Sequence, residues 1–277
     1  MKVSTFNAKT RKKKFVNADE INAIKVAYGK PLEKKDYVRY ALIPGLIVAG
    51  FSFILLYYWW VSLILGFVGA LYGLKVLMPK NIQRAYEQIS FRERNKFVNN
   101  MTQILTNDSN TLLNALGRAS DRSEGELKKD LKVLQARLMG ADHEQVLQAF
   151  KVLSNKYRDD IIFVQYLEQV ETASLEGKTN VDTLKDIKTY HNEMKEKKED
   201  YERKKDGQLK DMKMLCSVVV IFILIIAFSF SFDTYIQAFA RHPIGWGTSG
   251  IYMLLMFFFF KSFATYYFDD SILEVKT

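Results

Sequence analysis

The sequence predicts an all-α integral membrane protein in which two transmembrane hairpins flank a cytoplasmic helical bundle of about six helices. Three observations predict it. The apolar residues gather in 41–78, 214–232 and 251–263, so a mean hydropathy of −0.10 averages two very different kinds of sequence. The segment 79–213 spaces its apolar residues three and four apart and offers no strand-like alternation. Lys and Arg crowd residues 1–39, with 11 against 4 Asp and Glu, and residues 79–213, with 25 against 23, yet nearly vanish from the two short loops that would close the hairpins. Cytoplasmic segments carry such an excess, which places both termini and the middle segment on the cytoplasmic side of a multi-pass protein of the cell membrane.

The same charge distribution bears on partners. The net charge of +9 lies mainly ahead of the first span, where a topology signal belongs. No basic stripe is interleaved with stacking aromatics, so the lipid bilayer, and not nucleic acid, is the expected partner of this charge. A single cysteine, Cys216, excludes a disulfide framework or a thiolate metal cluster. The apolar stretch begins too late and runs too long for a cleavable signal peptide, so none is expected.

Residues 1–40 read as a basic cytoplasmic segment. Within it Val16-Asn17-Ala18-Asp19-Glu20-Ile21 is a helix start, with Asn17 as cap, Glu20 as its reciprocal partner and Val16 with Ile21 as a hydrophobic staple. Ile21, Ile24 and Tyr28 then share a face, which fits either a membrane-surface helix on anionic lipid or a solvated basic tail.

Residues 41–78 form the first hairpin. A hydrocarbon core is about 30 Å thick, and residues 41–74 in one helix would reach about 50 Å. They are expected to fold back at Tyr57-Tyr58-Trp59-Trp60, because Tyr and Trp prefer the interface, with Lys75 snorkelling toward the headgroups. A re-entrant hairpin is the alternative. Gly45-x-x-x-Ala49, Gly66-x-x-x-Ala70 and Gly69-x-x-x-Gly73 predict a seam of close backbone approach.

Residues 79–213 read as six helices. The first, 82–105, turns Phe97, Met101, Ile104 and Leu105 inward and ends at Asn107-Asp108-Ser109-Asn110. A short second carries Leu112, Ala115 and Leu116. Ser123-x-x-Glu126 reads as a capping box for a third with Leu127, Leu131, Leu134 and Leu138 on one stripe. Gly140 stops it, and Asp142 caps a fourth with Val146, Ala149, Phe150 and Leu153 inward. The fifth, about 159–175, ends at Gly177. The sixth starts at Thr179 or Asn180 and meets no stop before the membrane, so the charged stretch 195–205 makes a solvated stalk, with Gly207 as the one place it could break. Residues 214–264 form the second hairpin. Its spans are 214–232 and 250–263, Asp233 lies at the outer interface, and the link 238–247 holds Pro243, Gly245 and Trp246. A cytoplasmic tail, 265–277, follows.

No catalytic, cofactor-binding or metal centre is predicted. Gly177-Lys178-Thr179 matches the end of a phosphate-binding loop, but the glycine required five positions earlier is Thr172, and helix stands where a strand is needed. His143, His191 and His242 lack zinc-ligand spacing, and the first two read as solvated. Asn100-Met101-Thr102 and Asn107-Asp108-Ser109 match glycosylation acceptors but fall on the cytoplasmic side. Arg92, Arg94 and Lys96 read as exposed, either as contacts for an acidic partner or as a plain solvated face.

Three helix starts echo one another in order: Thr111-Leu112-Leu113-Asn114-Ala115-Leu116, then Gly140 through Val146, Ala149 and Phe150, then Glu176-Gly177-Lys178-Thr179-Asn180-Val181 with Leu184 beyond. With the span layout, they resemble the F-domain family of type II secretion, type IV pilus and tight-adherence pilus platform proteins. The resemblance covers most of residues 41–268, and the layout is similar to the tight-adherence branch. The chain departs from the pattern in three ways: the Asn107–Asn110 turn replaces a glycine before Leu112, the third motif keeps only Gly177, and a second copy of the domain is absent. The resemblance implies a non-enzymatic inner-membrane platform. It would couple a hexameric secretion ATPase to the assembly of pilin-like subunits, as a homo-oligomer or with a related platform protein. The residues themselves leave open a membrane-anchored adaptor and a small transporter; the latter calls for inward ionisable groups at mid-membrane, which these spans essentially lack.

Overall fold

A computed structural model describes residues 18–29, 31–106, 111–178 and 180–268, and every regular element among them is helical. Two compact units divide the chain: one takes residues up to 84 except 27–29, and the other takes 27–29 with everything from 85 onward. The expected cap and staple at Asn17 and Val16, the Asn107–Asn110 turn and a start at Thr179 lie outside the described residues.

In the first unit, α1 (Ala18–Tyr28) precedes α2 (Lys34–Leu56) and α3 (Trp59–Tyr72). Helix α2 starts ahead of its apolar stretch, where the Glu33 backbone N–H donates to the Asp36 carboxylate at 3.1 Å. Its end is set by Tyr57, which takes a left-handed φ of 53° while its N–H donates to the Phe53 carbonyl at 2.9 Å. The reversal is therefore tighter than the expected four residues: one left-handed residue and extended Tyr58 suffice, and Trp59 and Trp60 open α3.

The small-residue spacing makes a packed seam. A Cβ on Gly66 would lie 2.8 Å from the Ala49 Cβ and 3.1 Å from the Gly45 carbonyl oxygen, and one on Gly73 would overlap the Tyr40 carbonyl oxygen. Gly66→Leu is therefore expected to force α2 and α3 apart, costing about 1–3 kcal/mol. Gly50→Leu, at a site with nothing within 4 Å of the added Cβ, is the neutral control. Thermal unfolding of the two variants in detergent checks the pair. A π-helical turn, Gly73–Leu77, carries Lys75 and leads into α4 (Met78–Leu105). Helix α1 is no solvated tail: Ile21 is buried with Met78 and Ile82, against partly buried Ile24, Leu32, Tyr40 and Leu74, and Lys25 pairs with Asp36.

The second unit has one core fed by six helices: α4, α5 (Leu112–Asp121), α6 (Gly125–Leu138), α7 (His143–Lys156), α8 (Ile161–Glu176) and α9 (Val181–Ser229). Phe97, Met101, Leu116, Leu131, Phe150, Phe163 and Leu184 are buried in it, each stabilising the fold by about 1.5–3 kcal/mol through apolar burial. Side-chain oxygens of Thr111, Asp142, Asp160 and Asn180 accept the backbone N–H of the third residue of α5, α7, α8 and α9. Gly140 and Gly177 stop α6 and α8 at left-handed φ values of 72° and 67°.

The Ser123–Glu126 capping box does not form. The Ser123 hydroxyl donates back to the Ala119 carbonyl at 3.0 Å, and the Glu126 carboxylate accepts the Tyr86 hydroxyl at 2.7 Å, so both side chains are committed elsewhere. Helix α9 runs 49 residues without a break, through Gly207. Beyond α10 (Phe232–Tyr235) and a π-helical turn at Ile236–Ala240, α11 spans Pro243–Tyr267. It starts earlier than the expected span because Pro243 fits a first helical position, which draws Gly245, Trp246 and Gly247 out of the link and into the helix. Its far end returns to α9, where the Tyr267 hydroxyl donates to Asp206 at 3.1 Å.

Among the described residues, four helices are long and apolar enough to cross a membrane: those at Lys34–Leu56, Trp59–Leu105, Val181–Ser229 and Pro243–Tyr267. Their apolar faces are open, with Phe67 65% and Phe228 71% exposed, a surface suited to hydrocarbon and suggestive of a membrane protein.

Candidate functional site

Helix α9 sets the site. Its inward residues recur every seven positions (Leu184, His191, Lys198, Lys205, Met212), the repeat of a coiled-coil seam. Leu184, His191, Lys205 and Met212 are buried. Apolar side chains at the two ends thus bracket a polar middle, and polar groups at seam positions fix register at a cost in stability.

His191 is fully buried and stacks on Phe91 of α4, ring centroids 5.0 Å apart. Asn95 Nδ2 lies 2.9 Å from His191 Nδ1 and also donates to Asn192 Oδ1 at 2.8 Å. Asn99 and Asn192 exchange reciprocal amide bonds of 2.8 and 3.1 Å, and Asn99 Nδ2 further donates to the Asn95 backbone carbonyl at 2.8 Å. On the other side, His191 Nε2 sits 3.5 Å from Asp160 Oδ2, the same oxygen that accepts Arg94 Nε at 2.6 Å. Arg94 also donates to the Ser90 hydroxyl at 2.7 Å and lies over the rings of Phe91 and Tyr157. Asp160 meanwhile caps α8, so one carboxylate ties α4 to the start of α8 and faces α9 at His191. Burial alone would raise its pKa; the contact with His191 and the charge of Arg94 outweigh that and hold it well below the usual carboxylate range.

A second polar patch adjoins the bundle's α6–α7 side. Lys156 lies 2.6 Å from both Glu126 and Asp130, and the Tyr157 hydroxyl donates to Asp130 at 2.7 Å. Burial would raise the Glu126 carboxyl, but hydrogen bonds from Lys156 and Tyr86 pull it below its ordinary value. Burial, then the Asp130 charge, pushes the Tyr157 phenol far up, so it stays a donor. Tyr28 reaches the same region, its hydroxyl 3.4 Å from Ser90 and its ring 5.5 Å from that of Tyr86.

The helix-start residues that carry the family resemblance are core and cap positions. Ala115, Leu116, Val146, Ala149, Phe150 and Leu184 converge in one core, with Leu112 packed against it. Val181 opens α9 behind its cap Asn180, Glu176 closes α8 ahead of Gly177, and Gly140 forms an exposed left-handed turn. The basic trio does not stay together. Arg92 is exposed, Lys96 pairs with Glu93 and Glu124 at 3.5 and 3.6 Å, and Arg94, expected on the surface, is 13% exposed and bound to Asp160. His191, expected in solvent, is likewise interior, while His143 is exposed. The heptad running on from Leu184 is the signal that finds His191. No group of three or more His, Cys, Asp or Glu among the described residues is placed to hold a metal.

No family model matches the chain, and no solved structure matches it. The chain is 75% identical over 276 residues, the full length of both, to the uncharacterized protein pXO2-23 of Bacillus anthracis, and it belongs to that protein's family.

Proposed function

We propose that this chain is an inner-membrane platform of a secretion or pilus-assembly machine, built as a membrane hairpin, a cytoplasmic six-helix bundle and a second membrane hairpin. The bundle takes up the motion of a hexameric ATPase, and the spans hand it to pilin-like subunits in the bilayer. The observation that carries this reading is α9, a single helix with one end seated in the bundle core and the other ending in an uncharged apolar run of membrane length. Such a rod is about 73 Å long, and it transmits displacement without a joint. The ordered helix-start motifs and the excess of basic residues in 1–39 and 79–213 support the platform and its orientation, with both termini and the bundle inside.

The test is extraction of the chain from native membranes with its partners crosslinked. A hexameric ATPase and pilin-like subunits are expected in the captured complex, and single cysteines between residues 100 and 200 are expected to resist labelling from outside intact cells. Labelling at those positions, or purified chain that alone moves a solute across liposomes, would overturn the reading.

A further inference from the structure

We propose that His191 is a proton-binding site that fastens α9 to α4 when neutral and releases it when charged. The amide of Asn95 fixes the starting state. Its Nδ2 can only donate, so the His191 Nδ1 it faces at 2.9 Å is the unprotonated nitrogen, and the ring hydrogen sits on Nε2, toward Asp160. A second proton would put an N–H on Nδ1, directly opposed to the Asn95 donor.

The opposition cannot be relieved locally. Rotating the Asn95 amide sets its oxygen against Asn192 Oδ1, which now accepts from Asn95 and Asn99. Asn192 and Asn99 must then rotate in turn. That final rotation turns Asn99 Oδ1 toward the Asn95 backbone carbonyl, which now receives the Asn99 amide at 2.8 Å. The chain of amides therefore ends on an acceptor that cannot reverse.

One carboxylate and two cations lie close to the stacked His191 and Phe91 rings. From α8, Asp160 faces Nε2, but Arg94 of α4 already neutralises that oxygen at 2.6 Å. From α9 itself, the Lys198 ammonium lies 4.7 Å from the centre of the Phe91 ring on which His191 stacks. Tyr157, beside Arg94, stays an uncharged phenol. A charged imidazole would thus add a third cation beside the stacked His191 and Phe91 rings, with the Asp160 carboxylate already paired to Arg94. Asp160 stays ionised throughout, because its carboxyl is held well below the usual carboxylate range.

The test is amide hydrogen exchange over residues 184–198 in the full chain in lipid nanodiscs, corrected for the intrinsic pH dependence, from about pH 8 to about pH 5. An unsatisfied buried donor predicts a local opening equilibrium roughly tenfold more favourable at the acid end. His191→Asn, whose side-chain oxygen replaces Nδ1 as acceptor, is expected to show no such change. Asn95→Asp offers an acceptor to the charged ring and is expected to reverse the trend, with protection at the acid end at least equal to that at the alkaline end. Wild-type protection that does not respond to pH would overturn the proposal, as would an acid-induced rise in opening that survives in His191→Asn or in Asn95→Asp. The measurement involves no ATPase or pilin, so its failure leaves the platform reading standing, and the converse holds.

Discussion

Asp160→Ala is expected to destabilise the bundle by about 3–5 kcal/mol, because it strips the partner from a guanidinium that is itself nearly buried. Arg94 would keep its bond to Ser90 but lose its carboxylate partner, and α8 would lose the oxygen that accepts the Phe163 N–H. The cap alone is worth about 1 kcal/mol. Against a total stability of about 5–15 kcal/mol, the loss reaches a large part of the whole, and the melting temperature in detergent is expected to fall by roughly 10 °C. Asp160→Asn separates the two contributions, since Asn caps a helix as well as Asp does but carries no charge. It should recover the cap and leave the charge deficit. Equal melting of all three proteins would mean that the Arg94–Asp160 pair contributes nothing.

The same carboxyl gives the fold an acid limit. Its pKa is lowered in the folded chain, so the unfolded chain binds the proton more readily as pH falls. The stabilisation is complete above the ordinary Asp value of about 3.9, and it is lost as pH drops below that toward the folded value. Glu126, also lowered, acts in the same direction.

Much of this architecture is legible in the residues. Helix stops at Gly140 and Gly177 and caps at Asp142 and Asn180 stand where their chemistry places them, and the stripe Leu127–Leu131–Leu134 is buried as its spacing demands. The glycine spacing in 45–73 marks a seam because only a missing Cβ permits the approach at Gly66 and Gly73. The polar site was harder to read for a physical reason. Residues 185–213 of α9 are rich in charge, and charge usually means solvent; the inward repeat Leu184, His191, Lys198, Lys205, Met212 cuts across that composition. Arg94 misleads in the same way, because its burial depends on Asp160, 66 residues away, arriving at the start of α8. The Ser123–Glu126 pattern fails because tertiary partners, Tyr86 and Lys156, claim Glu126. Local spacing identifies helices well; which polar side chain turns inward is decided by a partner elsewhere in the chain.

If the chain is the proposed platform, Gly207→Pro is expected to abolish subunit assembly while leaving the chain folded and in the membrane. Proline at that position removes one backbone hydrogen bond and its ring strikes the carbonyl four residues earlier, at Arg203, a local cost of about 3 kcal/mol or more with a kink. The site lies beyond the core cluster, whose last α9 member is Leu184, and before the uncharged run that begins after Lys213. Protection of α5 to α8 in hydrogen exchange should therefore stay within the wild-type range while α9 bends between Lys205 and Met212. Gly207→Ala sharpens the comparison. A Cβ there meets nothing within 4 Å, so alanine should stabilise the rod by about 1 kcal/mol and keep assembly intact. If α9 transmits work from bundle to bilayer, the proline and alanine variants differ in output far more than in folding. Assembly at wild-type levels with a proline at this joint would show that the rod carries no load, and the platform reading would lose the observation on which it rests.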